Sequence, residues 1–362
     1  MTRVKAISTA LTVFVLLAVF TGCNAKKQTG TVKQAQELTD FQLGHTPTSN
    51  HLFGFIAAEE GFFKEEGLNV TLTQFPGAIE LLSGLESGKL DAAFMGSVSA
   101  FAQQAAGHDI SIFGGVMTNG HGYVLKNKYI PTDFREGDLT VLKGRNIAVA
   151  KNQTMDYELL YLLRKNGIGI GEGPDKVNII YFGNNVEAFS AFAGDQIDGV
   201  SVFAPFTSIA KNQGHTVVYY CNTISDFENQ PCCRQVALTS ALGDRQDVYI
   251  AFERAIIKAY KFSQENHEKT IEHIAKYITI NKNDLTYDVY GGYAINHPDP
   301  DKKATTSLKQ GVVDFGFTNG VDFDLEKLYN IDIYRKALVQ ILARYPNDAV
   351  YKSLDTHFNS AN

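Results

Sequence analysis

The sequence predicts an α/β protein made of two similar, doubly wound lobes. A stretch in the middle of the chain repeats at a fixed offset of 107 residues, so that Val70–Ile110 aligns without a gap with Val177–Val217. In both copies strands alternate with helices of about ten residues, a pattern that favours parallel strands joined by right-handed crossovers. The period is too long for a solenoid repeat, which runs about 20 to 50 residues. Two lobes of this size would face each other across a cleft.

Identical residues fix the register of the repeat. They are the pairs Val70 with Val177, Phe75 with Phe182, Glu80 with Glu187, Ser83 with Ser190, Asp91 with Asp198, Gly107 with Gly214 and His108 with His215. Ordinary composition would give roughly two or three such identities. Asp91 and Asp198 each stand at the start of a predicted strand in their own copy. We therefore expect them to hold turns rather than to form a catalytic pair.

Hydrophobic periodicity assigns the elements of the first copy. Leu52, Phe55 and Ile56 recur at helical spacing, and Gly61 follows as a C-cap. The predicted elements are strand 41–43, helix 51–60, strand 70–74, helix 78–88, strand 92–95, helix 99–106 and strand 110–116. A polar turn precedes the first helix.

The second copy repeats this order and is followed by long helices. Its predicted elements are strand 146–150, a helix from Thr154 to Gly167, strand 177–182, helix 186–194, strand 199–203, helix 205–213 and strand 216–220. Helices are predicted at 245–266, 268–277, 282–291, 303–318 and 331–344. This tail has no counterpart in the repeat, so we expect it to pack on the first lobe. Segments 124–126 and 235–239 are expected to cross between the lobes.

The first residues predict export. Arg3 and Lys5 precede an apolar run from Ala10 to Phe20, which is shorter than the about 20 residues of a membrane span. Gly22 before Cys23 resembles a lipobox, which implies cleavage before Cys23 and acylation of its sulfur, although Phe20 stands where leucine is usual. An uncleaved anchor or ordinary secretion is the alternative. The polar stretch after Cys23 predicts a flexible tether.

The net charge restricts the expected partners of the protein. Cleavage removes two basic residues and no acidic one, so the net charge falls from −6 to −8. Nucleic acid is therefore not an expected partner. The expected organisation is a signal peptide over 1–22, a tether over 23–38, lobe 1 over 39–124, lobe 2 over 125–230, and the rest of lobe 1 with the C-terminal helices over 231–362.

Three cysteines remain after Cys23. Cys221 could form a disulfide with Cys232 or with Cys233, and a bridge between the adjacent Cys232 and Cys233 is the rarer alternative. A soft metal ion could also bind two adjacent thiolates. No histidine or further cysteine stands at ligand spacing, so no metal site and no cofactor is predicted.

Several segments resemble a known family of solute-binding proteins, those of nitrate, taurine and alkanesulfonate ABC transporters. The run from Phe55 to Val70 carries the resemblance with Ala57, Ala58, Gly61, Phe62, Phe63, Lys64, Glu65, Gly67 and Leu68, and segments 85–91, 97–107 and 142–150 are similar too. The resemblance implies a type II periplasmic-binding-protein fold, in which two α/β lobes joined by a hinge close on a ligand. The same fold includes binders of thiamine-pyrimidine precursors and riboflavin, and a pyrimidine-synthesising enzyme with a cysteine cluster.

Ligand contacts are expected where strands end and helices begin, because helix N-termini offer free amide groups there. The candidate ligand-binding residues are His45, Thr46, Thr48, Ser49, Gly96, Ser97, Asn119, His121, Lys151, Thr154, Asn185, Phe203 and Arg234. Lys151 aligns with His45 at an offset of 106, which would place a cationic group on each wall. Arg234 could clamp an oxyanion or form an interlobe salt bridge.

The two copies differ where the cleft is expected. Gly96 and Ser97 in the first copy become Phe203 and Ala204 in the second. One wall would then donate hydrogen bonds, while the other would be apolar, which suits an organic anion.

The predicted function is a lipid-anchored, extracytoplasmic receptor, monomeric and without enzyme activity. It would deliver a sulfonate-, taurine- or nitrate-like anion to an ABC permease. The alternatives are a binder of a pyrimidine, thiamine precursor or flavin, and a pyrimidine-synthesis enzyme that uses Cys232 and Cys233.

Overall fold

The computed structural model describes residues 37–362. The predicted signal peptide, Cys23 and almost all of the predicted tether lie outside the described residues. The described chain forms two six-stranded sheets, each covered by helices.

Residues 39–119 build most of the first sheet and its helices. The elements are β1 (Thr39–His45), α1 (Leu52–Glu59), α2 (Phe62–Glu65), β2 (Leu68–Gln74), α3 (Ala78–Glu86), β3 (Ala92–Gly96), α4 (Ser97–Ala105) and β4 (Ile110–Asn119). All ten residues of β4 are buried, as expected for a strand covered on both faces.

Residues 121–220 form the second sheet. The elements are β5 (His121–Leu125), β6 (Asn146–Ala150), α5 (Thr154–Lys165), β7 (Gly169–Ile170), β8 (Lys176–Phe182), α6 (Asn185–Ala193), β9 (Gly199–Phe203), α7 (Phe206–Asn212) and β10 (Thr216–Tyr220). The short strand β7 extends the edge of this sheet beside β8.

The chain then returns to the first sheet and ends in helices. The elements are β11 (Pro231–Leu238), α8 (Thr239–Asp244), α9 (Gln246–Glu265), α10 (His267–Ile274), α11 (Lys282–Tyr290), β12 (Ala294–Asn296), α12 (Lys302–Asp314), α13 (Leu325–Leu328), α14 (Ile331–Arg344) and α15 (Ala349–Ala361). The last of these helices was not predicted from the sequence.

The two sheets share one strand pattern. The first has the order β2-β1-β3-β11-β4-β12, and the second has the order β7-β8-β6-β9-β5-β10. In each, three strands of one copy run parallel, as in β2-β1-β3 and β8-β6-β9. The strand next to these three, β11 or β5, is antiparallel to both of its neighbours and enters from another part of the chain. This topology confirms the predicted two-lobed α/β fold.

The repeat is visible in the element bounds. Helices α3 and α6 and strands β3 and β9 lie at the same offset of 107. A side-chain oxygen of Asp91 accepts a hydrogen bond from the Gln42 amide at 2.7 Å, and Asp198 accepts one from the Asn146 amide at 2.9 Å. Both aspartates therefore tie the start of one strand to its neighbour, the structural role that the sequence predicts.

The first strand of each lobe follows a different offset. Leu43 pairs with Ala92, and Ile147 pairs with Gly199, so β1 and β6 correspond at an offset of 104. The loop after β1 holds six residues and the loop after β6 only three, which shifts the alignment. Lys151 therefore corresponds to Pro47, and the predicted opposition of His45 and Lys151 is wrong.

The chain crosses between the sheets at two adjacent points. The first crossing is Gly120, between β4 and β5, and the second runs from Tyr220 to Pro231. Asn119 and Gly120 adopt positive φ angles of 58° and 93°, which allow the sharp change of direction. The Asn119 amide donates to the Gln230 carbonyl at 2.9 Å, so the crossings are joined. The segments expected to cross, 124–126 and 235–239, lie almost entirely inside β5 and β11.

The C-terminal helices pack mainly on the first lobe, as the sequence predicts. Phe252 of α9 stacks on Phe41 of β1, with ring centroids 4.7 Å apart. Tyr249 meets Phe41 edge to face, and Tyr334 and Leu338 of α14 belong to the same buried cluster. Helices α11 and α12 also touch the second lobe, because Asp288 of α11 accepts a hydrogen bond from Ser208 and Gly311 of α12 lies against Tyr157. Across residues 37–362, no helix has both the length and the apolar character of a membrane span.

Candidate functional site

A narrow cleft lies between the two sheets, where parallel strands end and helices begin. Its lining residues come from both lobes: Thr46, Pro76, Gly77, Ala78, Leu81, Phe94, Met95, Gly96, His121, Gln153, Thr154, Met155, Asn185, Phe203, Cys232 and Cys233. The centres of water molecules can reach about 30 Å³ of it. That is room for roughly two waters. In this arrangement the lobes are close together.

Helices from both lobes begin at the cleft. Helix α3 starts at Ala78 and α4 at Ser97 in the first lobe, and α5 starts at Thr154 and α6 at Asn185 in the second. In α3, α4 and α5, no side chain caps the first turn within the described structure. The free amide groups and the positive ends of these helix dipoles therefore point towards one region.

Buried polar atoms at these helix starts have no protein partner. The hydroxyls of Ser97 and Thr154 and the side-chain oxygen of Asn185 are buried and make no hydrogen bond within residues 37–362. A buried polar group without a partner is costly, commonly by about 1 to 3 kcal/mol. These groups are suited to a polar ligand or to ordered water.

A cluster of thiols and one imidazole forms the floor of the cleft. The Nε2 atom of His121 lies 2.9 Å from the sulfur of Cys232, and the sulfurs of Cys232 and Cys233 are 3.5 Å apart. Cys221 is completely buried, with its sulfur within 4.8 Å of a ligand atom of His121 and of one of Glu158. None of these three cysteines forms a disulfide in the described structure.

Glu158 holds the His121 ring from the opposite side. Both carboxylate oxygens lie 3.0 Å from Nδ1 of His121, and Gln230 donates to the same carboxylate at 2.7 Å. Burial alone would lower the pKa of His121, but Glu158 and Cys221 raise it well above its ordinary value. The Nδ1 proton is therefore directed at Glu158.

The local backbone brings the two adjacent thiols together. Residues i and i+1 of a regular strand point to opposite faces. The pairing of β11 shifts register between Pro231 and Cys233 and again between Cys233 and Arg234, which relaxes this alternation. Burial raises the pKa of Cys232, whereas the hydrogen bond from Cys232, assisted by His51 and His121, lowers that of Cys233.

Six of the thirteen predicted ligand-binding residues line the cleft. They are Thr46, Gly96, His121, Thr154, Asn185 and Phe203, and Cys232 and Cys233 join them. Ser97 is buried at the adjoining start of α4. Asn119 is buried at the first crossing, next to His121. The structure thus brings together candidates from six separate segments.

Other candidates hold the lobes together or face outward. The Thr48 hydroxyl donates to the Ala204 carbonyl at 2.8 Å, and the Ser49 hydroxyl donates to Asp288 at 3.1 Å. His45 is buried and packs edge to face on Phe55. Lys151 is exposed and lines a separate surface groove with Tyr181. Lys151 therefore does not line the cleft in this arrangement.

Arg234 lies inside the first lobe and does not line the cleft. Its guanidinium donates to the carbonyls of Pro300, Met117 and Cys233 at 2.8 to 2.9 Å and lies 3.6 Å from the Asp301 carboxylate. The side chain is 1% exposed. It does not bridge the lobes, and its position away from the cleft does not support the expected oxyanion clamp, because β11 directs it towards the C-terminal segments.

Sequence reasoning missed part of the site. Gly77 and Ala78 line the cleft, and the 107-residue offset relates Ala78 to the predicted Asn185, so the repeat could have revealed them. Gln153 follows in the same way from its neighbour Thr154. No sequence pattern could have indicated that Glu158 supports the site, because a glutamate on an amphipathic helix usually faces water.

Comparison with known proteins identifies the family. The NMT1-like family profile matches residues 34–279, which is more than half of the chain. The chain belongs to the NMT1-like family. A curated relative is YtlA of Bacillus subtilis (strain 168), named as a candidate binding protein, which is 28% identical over 221 residues. That match covers 60% of this chain and 64% of YtlA, so the chain spans just under two thirds of its relative.

Solved structures share the fold of this NMT1-like protein. The ligand-binding component of an ABC-type import system from Staphylococcus aureus, solved with zinc bound, has a TM-score of 0.69 at 16% identity and covers 83% of this chain and 99% of its own. SsuA of Escherichia coli, a periplasmic aliphatic sulphonate binding protein, has a TM-score of 0.65 at 17% identity, and the match covers 82% of this chain and 99% of SsuA. NrtA of Synechocystis PCC 6803, a periplasmic nitrate-binding protein, has a TM-score of 0.66 at 15% identity, and the match covers 91% of this chain and 100% of NrtA. The periplasmic-binding-protein fold predicted from the sequence is confirmed.

Proposed function

We propose that this protein is an extracytoplasmic solute-binding protein that captures a small organic anion between its lobes and delivers it to an ABC importer. The observation that carries the proposal is the convergence of uncapped helix N-termini from both lobes on one cleft. Helix N-termini favour anions because their free amides donate hydrogen bonds and their dipoles are positive there. The relatives SsuA and NrtA, which bind a sulphonate and nitrate, have the same fold.

The charge of the lining limits the ligand. Among the described residues that line the cleft there is no lysine, arginine, aspartate or glutamate. His121 also lines the cleft, but its ring is paired with the Glu158 carboxylate. An anionic head would therefore be held mainly by amides and hydroxyls, such as those of Ser97 and Thr154. Such a site suits a singly charged sulfonate or carboxylate better than a multiply charged phosphate.

The apolar part of the lining suits an organic body. Phe94, Met95 and Leu81 come from the first lobe, and Phe203 and Met155 come from the second. A bare inorganic ion would leave these surfaces without a partner. A short alkyl or amino-alkyl chain attached to the anionic head would cover them.

Entry of such a ligand requires the lobes to separate. The cleft has room for roughly two waters, which is less than an alkanesulfonate needs. The direct bonds across the cleft are few, and include Thr48 to the Ala204 carbonyl and Ser99 to the Asn152 carbonyl, each 2.8 Å long. Rotation at Gly120 and at the return crossing would open the site, and ligand contacts to both lobes would favour closure.

The N-terminal sequence favours a receptor that is held at the membrane. Residues 1–22 are proposed as a signal peptide and Cys23 as the lipid-modified residue, with the following polar stretch as a tether. The described part would then be held as a monomer on the extracytoplasmic face, within reach of its permease.

A planar heteroaromatic ligand is the second candidate. Phe94 and Phe203 both line the cleft and could enclose a pyrimidine ring or a flavin. The thiols of Cys232 and Cys233 lie at the same cleft, so an enzyme of pyrimidine synthesis remains the alternative in which these sulfurs take part in chemistry.

A thermal-shift screen tests the proposal. The purified chain is heated with alkanesulfonates, taurine, nitrate, pyrimidines or flavins, and hits are examined by native mass spectrometry. A ligand at 100 times its dissociation constant should stabilise the protein by about 2.7 kcal/mol. We expect an alkanesulfonate or taurine to do so, with one ligand per chain and no change in its mass. Stabilisation by pyrimidines or flavins alone would overturn the anion proposal, and product formation would overturn the receptor proposal.

A further inference from the structure

We propose that His297, Asp301 and His357 bind one divalent cation such as Zn²⁺ where the last helix meets the first lobe. His297 and Asp301 lie in the loop between β12 and α12, and His357 belongs to α15. One ligand atom from each of the three residues lies within 4.8 Å of the other two. The site is separate from the cleft, so it does not depend on which solute the cleft takes.

The sequence predicts no metal site here because the ligands are far apart along the chain. Asp301 and His357 are separated by 56 positions. The end of α15 is also held on the loop at a second point, since Asn362 donates to the Asp299 carboxylate at 2.6 Å and accepts from the Lys302 amide at 3.0 Å. The packing of one helix on one loop therefore brings the three ligands together.

The three side chains are close enough to surround one ion. The imidazole rings of His297 and His357 have centroids 4.2 Å apart, and Nε2 of His357 lies 2.6 Å from Oδ1 of Asp301. Zinc bonds of about 2.0 to 2.2 Å to nitrogen and oxygen place neighbouring ligand atoms roughly 3.3 to 3.5 Å apart. Movement of the His357 ring by about an ångström would admit the ion, and water would take the fourth position.

The chemistry of the three donors selects the cation. Imidazole nitrogen suits Zn²⁺ and other transition metal ions, whereas Ca²⁺ and Mg²⁺ prefer sites built from oxygen atoms. Two imidazoles beside one carboxylate therefore favour an ion such as Zn²⁺. The side chain of His357 is 41% exposed, so the ion can reach the site from solvent.

Buried groups around Asp301 support a bound cation. The second carboxylate oxygen of Asp301 lies 3.6 Å from Arg234, which leaves Oδ1 for the ion. Asp299 is completely buried, and one of its oxygens has no hydrogen-bond partner within residues 37–362. Two carboxylates beside one guanidinium leave a negative charge without a partner, and a divalent cation would offset it.

Binding requires a small change at His297. The Asp299 amide donates to Nδ1 of this ring at 3.2 Å, so the neutral ring carries its proton on Nε2. An ion at Nδ1 would replace the amide, and an ion at Nε2 would move the proton to Nδ1. Either arrangement gives up only this long hydrogen bond.

Zinc titration combined with NMR tests the site. The full chain carrying Cys23→Ser is freed of metal, and Zn²⁺ is added in competition with a chromophoric chelator. We expect one equivalent to bind here with a Kd on the order of micromolar or tighter. In protein that carries isotope-labelled histidine, this equivalent should shift the ring resonances of His297 and His357. Shifts of other histidines only, or a Kd on the order of millimolar, would overturn the proposal.

Variants distinguish metal binding from a simple ion pair. His297→Gln and His357→Gln should each weaken zinc binding by at least about 100-fold, which exceeds the roughly 10-fold loss that removal of an outer partner can cause. Each variant should also lack the shifted resonance of its own ring, which assigns the ligands. If His357 served only as the ion-pair partner of Asp301, zinc would shift neither ring.

The matched control is His108→Gln. Nδ1 of His108 lies 2.6 Å from the Glu86 carboxylate, the same separation as in the pair of His357 with Asp301, but no metal-ligand group among the described residues includes His108. Zinc affinity should be unchanged in this variant, and circular dichroism without metal shows whether each variant folds. Affinity that is kept in the folded variants His297→Gln and His357→Gln would contradict the assignment of the ligands.

Discussion

The two walls of the cleft share one backbone plan but differ in chemistry. Strands β3 and β9 and helices α3 and α6 lie at the same offset of 107, and each wall presents helix N-termini to the cleft. At the aligned positions Gly96 corresponds to Phe203 and Ala78 corresponds to Asn185, and all four residues line the cleft. The repeated backbone therefore supplies the amide donors, and the side chains that differ between the copies decide which ligand fits.

The largest expected effect comes from making the first wall resemble the second. A Cβ atom at Gly96 would lie 3.6 Å from the side chains of Gln153 and Thr154, so alanine fits but a phenyl ring would fill the cleft. Gly96→Phe should therefore reduce affinity for the ligand found in the screen by about 1,000-fold, or about 4.1 kcal/mol. Calorimetric titration measures it, with Gly96→Ala as the control. Equal affinity in the two variants would show that the ligand lies elsewhere.

A contact between the walls predicts a pH dependence of stability. Asp288 accepts hydrogen bonds from Ser49 of the first lobe and from Ser208 of the second, at 3.1 and 2.5 Å. Burial raises the pKa of Asp288 from 3.8 to about 6. The folded state prefers the protonated acid, so its stabilising effect is complete below about pH 4 and is lost as the pH rises to about 6.

The variant Asp288→Asn should abolish this part of the pH dependence. Two pKa units correspond to about 2.7 kcal/mol. Between pH 4 and 7, the free energy of unfolding of the variant should therefore fall by about 2.7 kcal/mol less than that of the parent. Urea unfolding at both values measures the difference. Parallel pH profiles for the two proteins would mean that folding does not raise the pKa of Asp288.

Removing the aromatic side chain of Phe203 from the second wall should reduce ligand affinity less than adding a phenyl ring at Gly96 in the first wall. Phe203→Ala keeps the backbone donors and removes only an apolar surface. We expect affinity to fall by about tenfold, or about 1.4 kcal/mol, with the loss mainly in the dissociation rate. Stopped-flow binding measures both rates. An unchanged dissociation rate would place the organic body of the ligand on the first wall alone.

The smallest expected effect compares two aspartates with the same role. Asp91 and Asp198 each accept a backbone amide, but Asp91 also pairs with Arg245. Hydrogen bonds to a charged group contribute about 1.5 to 3 kcal/mol, and a partly exposed ion pair adds about 0.2 to 1 kcal/mol. Asp91→Ala should therefore destabilise the fold by about 0.5 kcal/mol more than Asp198→Ala, measured by urea unfolding with exposed Asp133→Ala as the control. Equal losses would show that Arg245 contributes nothing, and the reverse order would contradict the account.

The backbone plan could be predicted from the sequence because the repeat fixes it. An ungapped alignment carries strand and helix bounds from one copy to the other, as α3 and α6 show. The opposition of His45 and Lys151 failed because their loops differ in length, which no identity in that region reveals. The role of Arg234 was also out of reach, because its partners Pro300 and Asp301 are distant in sequence and follow only from how the C-terminal segments pack.

The thiol cluster shows a second limit. Cys221, Cys232 and Glu158 come from three segments, and their meeting depends on where the two crossings place β5 and β11. Spacing along the chain carries no trace of this arrangement. Side chains that meet across the crossings are therefore the part of the site for which a structure is needed.

Hydrogen exchange of the protein with and without its ligand tests the central claim most directly. If the anion is held by helix N-termini of both lobes, binding should slow exchange of the first-turn amides of α3 and α4 in the first lobe and of α5 in the second at the same time. Protection of one lobe only, or of the crossings without the helix starts, would contradict the proposed site.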